Sequence, residues 1–490
     1  MPFIGNLIQY NGLGNYFDYI NMKYNDFSVT EHYITRSKGD FIFMDVNTLD
    51  IYILDEAEKN IIKALNSNKC TAEKELNVLA EEYGESLVTG KIDELFLNGI
   101  LRKRETKDEN NTKNPVYDKD ALGVINAIDI FISEDCNLAC KYCFIRRGLS
   151  NGNKALMEQV VGERTVDFLI KRSGDKKDLF ICFFGGEPLI NFKVLKHIVT
   201  YALDEGSKYN KRFHFSLTTN GTLLSDEIVD FIYKNQIKVL ISIDGDIHSH
   251  NRNRPLPGGG DSYTEIVNNL RKLDRRNISY SARATVSSFT KSKIAENYEH
   301  LTSLGFNKIH FENALAPIGQ IFITDKNDII DIKKQYSLIS KKISKNMRSG
   351  RSYNVETIPL PLDRIITKKS NFYSCTAGKG YVSVNVNGDI YLCHRFVGEK
   401  DFFLGNVIED IYSLKWSETI RNETNVENRK RCRKCWARYI CGGGCYGINY
   451  DFNKDISLAP WIYCQLMKYS IKKALCVYTS AASQPEVAEQ

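Results

Sequence analysis

Between residues 121 and 312 the chain alternates two kinds of apolar pattern. Runs of strand length occupy 124–132, 179–184, 213–219, 238–243, 279–286 and 308–312. Stretches with helical spacing separate them. Met157, Val160, Val161, Phe168 and Leu169 are predicted to share one helix face, and Leu195, Ile198, Val199 and Ala202 another. Ser225 is placed as the N-cap of a helix that buries Ile228, Val229 and Ile232. Six βα units in a row predict an α/β fold with a parallel sheet, open or curled into a partial barrel. Ligands of such sheets sit at the carboxyl ends of the strands.

Upstream, residues 32–105 read as a small separate unit. Residues 40–54 hold two strand-like runs around Asn47-Thr48, a predicted hairpin. Three short helical patterns follow. The second is expected to start after Thr71 as N-cap, with Leu76, Leu79, Ala80 and Tyr83 at helical spacing. The third is expected over about 91–98, closed by Gly99. Strands with three helices suggest a winged-helix-like module. Its third helix sets one Lys against Asp93 and Glu94, a poor surface for phosphates, so peptide binding or a structural role fits better than DNA binding. Residues 106–120, charged and polar around Pro115, are read as a linker. After about Pro317 the alternation fades, and 479–490 is expected to be a disordered tail.

Composition narrows the classes. The chain has 490 residues, enough for about three domains with hydrophobic cores. A net charge of +6 over this length does not by itself argue for nucleic acid. No apolar run reaches the length of a membrane span, and the N-terminus lacks the basic and apolar regions of a secretory signal, so a cytoplasmic location is expected. The thirteen cysteines carry more information, since in a reducing compartment they point to metal rather than disulfides. Ten fall into short-spaced groups. Cys70, Cys182 and Cys476 stand apart and are read as surface or packing residues.

Cys136, Cys140 and Cys143 form C-x3-C-x2-C just after the first barrel strand. Three close thiolates without a fourth suit a 4Fe–4S cluster with one open iron better than a structural zinc site. This motif, with aromatic Tyr142 before its last cysteine, resembles the signature of radical S-adenosylmethionine (SAM) enzymes. The resemblance implies that the open iron binds SAM, whose reductive cleavage gives a 5′-deoxyadenosyl radical that abstracts a substrate hydrogen. An external electron donor of flavodoxin or ferredoxin type is implied with it. Gly185-Gly186-Glu187-Pro188 follows the second strand and resembles the family's site for the SAM amino group. Thr218 and Asn220 lie at the end of the third strand, and Ser242 and Asp244 at the end of the fourth. By resemblance, Ser242 and Arg283 hold the SAM carboxylate and Asp244 lies near the ribose. A strand-end salt bridge is the structural alternative for Arg283.

Farther on, Cys375, Gly388 and Cys393 give C-x12-G-x4-C, and Cys432, Cys435, Cys441 and Cys445 give C-x2-C-x5-C-x3-C, with Cys464 following. Gly388 is predicted to turn a hairpin that brings Cys375 and Cys393 together. The order of these seven cysteines is similar to that of the SPASM domain, which carries two auxiliary 4Fe–4S clusters. Carried over by position, Cys375, Cys393 and Cys445 serve the first cluster, and Cys432, Cys435, Cys441 and Cys464 the second. Anaerobic sulfatase maturases supply an eighth cysteine shortly before the position of Cys375. Here that stretch is TKKSNFYS, which leaves room for a substrate thiolate, with Cys476, a carboxylate or water as alternatives. Those maturases also place an aspartate base after the position of Cys393, where this chain has His394, a candidate proton relay or a structural residue. The basic run 429–438 between cluster ligands is read either as offsetting their negative charge or as a solvated face.

These features are similar to maturases of cysteine-rich ribosomal peptides, of ranthipeptide or sactipeptide type, which form thioethers. The implied plan is a leader-recognition module at 1–105, a partial (β/α)6 radical SAM barrel at 121–320, a connecting region at 321–374 and a cysteine-rich SPASM domain at 375–478. It implies three 4Fe–4S clusters, SAM and a precursor peptide whose leader binds the N-terminal module, with no nucleic acid and no membrane. Formylglycine formation of the sulfatase-maturase type and carbon–carbon cross-linking are the alternative activities, and a cluster-based sensor is the non-enzymatic one.

Overall fold

The computed structural model describes residues 27–37, 39–67, 69–103, 123–145, 155–317, 322–323, 326–349 and 361–482. The predicted linker, 106–120, lies outside them, as does 483–490.

The N-terminal unit contains β1 (Phe27–Val29), β2 (His32–Ser37), β3 (Asp40–Asp45) and β4 (Ile51–Leu54). Helices α1 (Glu56–Leu65), α2 (Lys69–Tyr83) and α3 (Glu85–Leu97) follow, then β5 (Leu101–Lys103). β2, β3 and β4 form an antiparallel sheet, and β1 pairs with β5. The expected hairpin is present. Asp45 Oδ1 shapes its turn by accepting from Asn47 N at 2.7 Å and Thr48 N at 2.9 Å. A capping box of Asp55 and Glu58 starts α1. Two helix starts differ from expectation. Thr71 lies inside α2 rather than capping it, and α3 begins six residues before Lys91 because positive-φ Gly84 breaks the chain there. Gly99, at φ 72, ends α3 as expected.

β3 has two buried faces. Phe43 packs with Ile61, Ile62, Leu76, Val88, Ile92 and Leu95 inside the unit. Ile42 and Met44, on the other face, join the main core of the protein. The unit is therefore docked onto the rest of the chain. Tyr33 stacks on Trp436 with centroids 3.6 Å apart, and Glu31 pairs with Arg438.

The barrel strands are β6 (Ala127–Ser133), β7 (Asp178–Gly185), β8 (Arg212–Thr219), β9 (Lys238–Ser242), β10 (Tyr280–Val286) and β11 (Lys308–Asn313). All six predicted strands form, in parallel and in sequence order. Helices α4 (Gln159–Arg172), α5 (Phe192–Lys208), α6 (Asp226–Lys234), α7 (Ile247–Asn253), α8 (Tyr263–Arg275) and α9 (Ile294–Ser303) lie between them. Ser225 Oγ caps α6 through Ile228 N at 3.2 Å. Val160 departs from its predicted face and is 48% exposed. Met157 is buried but precedes α4. Alternate strand residues such as Ile181, Phe183, Phe215, Leu217, Ile241, Ala282 and Phe311 are buried with the helices. The opposite parity places Asp129, Cys182, Ser216, Thr218, Ser242, Arg283 and Glu312 on the inner face, half-buried and mostly polar.

The cysteine-rich region continues this sheet. β12 (Tyr381–Val384) pairs in parallel with β6, and β13 (Asp389–Tyr391), β14 (Phe403–Asn406) and β15 (Ile411–Tyr412) extend it antiparallel to ten strands. Gly388, at φ 86, lies in the predicted hairpin turn between β12 and β13. Ala377, Leu392, Phe396, Phe402, Ile420, Tyr446 and Ile456 form an apolar core of the region's own. The predicted connecting region contains α10 (Lys326–Arg348), with Ile329, Ile332, Tyr336, Ile339 and Ile343 buried at helical spacing. It packs against the last helix, α15 (Trp461–Ala482), where the hydroxyls of Ser337 and Tyr469 are 2.6 Å apart. That helix runs past 478 with Thr479 buried, so the predicted tail begins as helix. Three shorter helices complete the region: α12 (Lys415–Glu423), α13 (Arg438–Cys441) and α14 (Tyr446–Asn453), with α11 (Leu362–Ile366) before it.

Candidate active site

The loop after β6 carries Cys136, Cys140 and Cys143, and the end of β7 is pressed against it. Gly186 N donates to Ser133 O at 2.7 Å, and Glu187 N to Asp135 O at 2.8 Å. A Cβ on Gly185 would lie 2.2 Å from Ser133 O, and one on Gly186 2.2 Å from Asp135 O, so only glycine allows this approach. Pro188 opens a short 3₁₀ turn. The Glu187 carboxylate is buried and accepts from Leu189 N at 3.0 Å, Thr219 Oγ1 at 2.7 Å and Asn220 N at 2.7 Å. Burial pushes it up to about 7, against these donors. Its side chain ties β7 to β8. Asn220 Nδ2 donates to Asn137 Oδ1 at 2.8 Å and lies 4.0 Å from Cys136 Sγ, which locks the third strand's end onto the cysteine loop. Burial pushes the Cys136 thiol up to about 12, and the charges of Cys140 and Cys143 add to it.

Asp244 is the hub beneath the same loop. It is buried and accepts from Tyr142 Oη at 2.6 Å, Asn253 Nδ2 at 3.0 Å, Arg254 Nε at 2.9 Å and Thr285 N at 2.9 Å. Tyr142 and Asp244, both expected in the cofactor site, are thus bound to each other. Arg254 Nη1 reaches within 4.0 Å of Cys140 Sγ, and the backbone carbonyls of Asn253 and Pro255 accept from Lys141 N and Ala139 N. This cradle, 253–255, was missed in the sequence. Its only sign there is basic residues before a proline.

Arg283 pairs with Glu312, the strand-end ion pair weighed as its alternative role. The other Glu312 oxygen accepts from Arg395 Nη2 at 2.6 Å. Burial, with Arg395 and Arg254 nearby, pulls Arg283 down to about 10. Ser242 and Thr218 line the inner face beside it. Cys182 does not pack in an apolar core. It also faces inward, with its Sγ 4.0 Å from Thr218 Oγ1, and burial and the Asp129 charge raise it.

The later cysteines assemble in two groups. Burial raises Cys393, and Cys445 and Cys375 raise it further, while Cys445 does the same to Cys375. Separately, Cys441 is raised by burial and by Cys464, Cys432 and Cys435. No three described Cys, His or carboxylate groups are close enough to share one metal ion. Thiols grouped more widely, in threes and a four, suit a polynuclear cluster in which each thiolate takes its own iron. Cys476 is in neither group and lies beside Tyr33.

His394 has company that the sequence did not reveal. Its Nδ1 is 2.9 Å from Asp129 Oδ2 and 2.9 Å from Tyr381 Oη, which itself donates to Asp129. Asp129 is the lone carboxylate in the AIDIFIS strand, the one trace it left in the sequence. The His394 ring lies 5.9 Å from that of Phe144 and 5.2 Å from that of Phe184. Phe144 follows Cys143 and His394 follows Cys393, so this ring contact sets the first cysteine group beside the Cys393 group.

Comparison with known proteins matches residues 130–301 to the radical SAM superfamily and 375–436 to the SPASM iron–sulfur cluster-binding domain. A cysteine-type anaerobic sulfatase-maturating enzyme of Clostridium perfringens is 25% identical over 69% of this chain and 92% of its own. The radical SAM cyclopropyl synthase TigE of Paramaledivibacter caminithermalis is 22% identical over 86% and 90%. The structure of Streptococcus suis SuiB bound to precursor peptide SuiA covers 89% of this chain and 98% of that one, with TM-score 0.52 and 16% identity, a likeness of fold.

Proposed function

We propose that this chain, a radical SAM enzyme whose barrel uses SAM and a 4Fe–4S cluster and whose SPASM domain binds auxiliary clusters, is a peptide maturase that forms thioethers. It would join a cysteine sulfur to an acceptor-residue carbon within a ribosomally made precursor.

One observation carries the reading. Cys375, Cys393 and Cys445 group together with no fourth cysteine among the described residues, and the Phe144–His394 contact sets this group beside the Cys136–Cys140–Cys143 loop. Three thiolates would leave one cluster position for the thiolate of a peptide cysteine. The bound cofactors would supply a hydrogen-abstracting radical on one side of that contact and an electron acceptor on the other.

The chain's own residues do the rest. Cys136, Cys140 and Cys143 would hold the SAM-binding cluster, with Gly185, Gly186 and Asn220 shaping its rim. Cys432, Cys435, Cys441 and Cys464 would hold the second auxiliary cluster. Asp129 fixes the proton of His394 on Nδ1, which leaves Nε2 to accept the proton the peptide thiol gives up. Phe144 and Phe184 exclude water beside that ring. Each link costs the peptide two hydrogens, one taken as an atom from carbon and one as a proton from sulfur. Among the described residues of the N-terminal unit β2 and β4 are sheet edges, which supports leader capture by strand addition. The broad coverage by SuiB, solved with its precursor peptide, supports a peptide substrate as well.

The likeness to the sulfatase-maturating enzyme favours formylglycine formation as the second reading. Anaerobic incubation with SAM, a reductant and a cysteine-containing peptide encoded beside the gene decides between them by tandem mass spectrometry. Loss of two hydrogens per link with thiols no longer alkylatable is expected. Loss of two hydrogens with every thiol still alkylatable would mean carbon–carbon bonding, and conversion of cysteine to an aldehyde would mean formylglycine.

A further inference from the structure

A buried arginine stands between the two auxiliary cysteine groups with donors to spare. Arg429 is 5% exposed. Its Nη1 donates to Gly443 O at 2.6 Å, while among the described residues Nε and Nη2 have no acceptor. A buried guanidinium with unmet donors is costly unless a ligand receives them. The guanidinium sits 5.9 Å from the centre of the Tyr446 ring, which follows Cys445, and its charge acts on the Cys432 thiol. The fold makes room for this side chain. Gly443 has φ 97, and a Cβ there would lie 2.1 Å from Arg429 Nη1. A glycine in the C-G-G-G-C run thus clears the path of the arginine.

We infer that Arg429 donates hydrogen bonds to the cluster held by Cys432, Cys435, Cys441 and Cys464, and raises its reduction potential relative to the first auxiliary cluster. This rests on the cysteine assignment proposed above. Hydrogen bonds to cluster sulfurs and nearby positive charge both favour the more negative, reduced state. An electron left at the Cys375–Cys393–Cys445 site would then move on to the second cluster.

The test is an EPR-monitored redox titration of reconstituted holoenzyme, with iron counted in each sample. Arg429→Gln and Arg429→Lys are compared with wild type. In a fully loaded Arg429→Gln enzyme the reduced-to-oxidised ratio of one auxiliary cluster at fixed poise should fall about tenfold, as expected for losing one charged hydrogen bond. Arg429→Lys, which keeps the charge, should fall less. A loaded variant with unchanged ratios for both auxiliary clusters would overturn the inference. Pulsed EPR of wild-type enzyme labelled with 15N-arginine gives a readout that needs no variant. A 15N coupling to the reduced second cluster is expected, and its absence overturns the inference. Wild-type iron near four per chain instead of about twelve would overturn the cluster assignment itself.

Discussion

His394 Nδ1 lies 2.9 Å from Asp129 Oδ2, joining residues 265 positions apart in the chain. The carboxylate belongs to β6 and the imidazole to the segment after β13, and the parallel pairing of β6 with β12 brings them together. Asp129→Asn removes the negative charge beside the imidazole Nδ1. Peptide product should fall about 100-fold or more, while 5′-deoxyadenosine release continues. Single-turnover assays that count both products check this. Equal loss of both would mean that Asp129 supports SAM cleavage instead.

Cys375→Ala removes one thiol of the three-cysteine group. Iron should drop from about twelve to about eight per chain, with SAM cleavage partly retained. Iron analysis and 5′-deoxyadenosine release on one sample separate the roles. A folded variant that cleaves no SAM would contradict the division of labour between the cysteine groups.

Arg254 and Asp244 form an ion pair whose side chains are 10% and 0% exposed. Arg254→Met leaves the Asp244 charge buried without its partner and should cost about 3–5 kcal/mol in urea unfolding of the metal-free chain. Because Arg254 also reaches toward Cys140, the variant should load the barrel cluster poorly.

His250 gives a pH signature. It is fully buried, with Nδ1 accepting from Asp244 N at 3.3 Å and Nε2 beside Ser262 Oγ at 3.1 Å. Burial pulls it down to about 4. In the unfolded chain it titrates near 6.5, so between these values the unfolded state binds the extra proton. Its contribution is fully present above pH ~6.5 and is lost as the pH falls toward 4, up to about 3 kcal/mol. Comparing wild type with His250→Gln across this window should show a shallower acid slope in the variant.

Trp436→Ala deletes the ring against which Tyr33 stacks. Amide exchange in β2 and β3 should accelerate, while the barrel strands keep their protection. Unchanged exchange would mean that the Arg438–Glu31 pair and the packing of Ile42 and Met44 hold the module without the stack.

Some of the site was legible because it is local. The six strands of the barrel follow from short apolar runs, and the runs Cys136–Cys143 and Cys432–Cys445 from spacings of two to five residues. Gly185 and Gly186 could be read as a place of close backbone approach, and the structure supplies the reason in the carbonyls of Ser133 and Asp135. The Glu187 carboxylate could not be read the same way. Whether it faces a ligand or Thr219 and Asn220 depends on how β7 meets β8. The Arg283 ion pair likewise depends on the register that sets β10 beside β11.

The βα alternation, the short-spaced runs of cysteines and the hairpin at Gly388 are written in periodicity or spacing within a few tens of residues. Which polar groups meet is set by the assembled fold. It joined Asp129 to His394, Arg254 to Asp244 and Cys140, and Arg429 to the gap between the auxiliary groups. It also fused the cysteine-rich region to the barrel sheet and docked the N-terminal unit on Trp436. These contacts depend on strand register and on which face of an element is buried, and for residues far apart in the chain no local pattern records either.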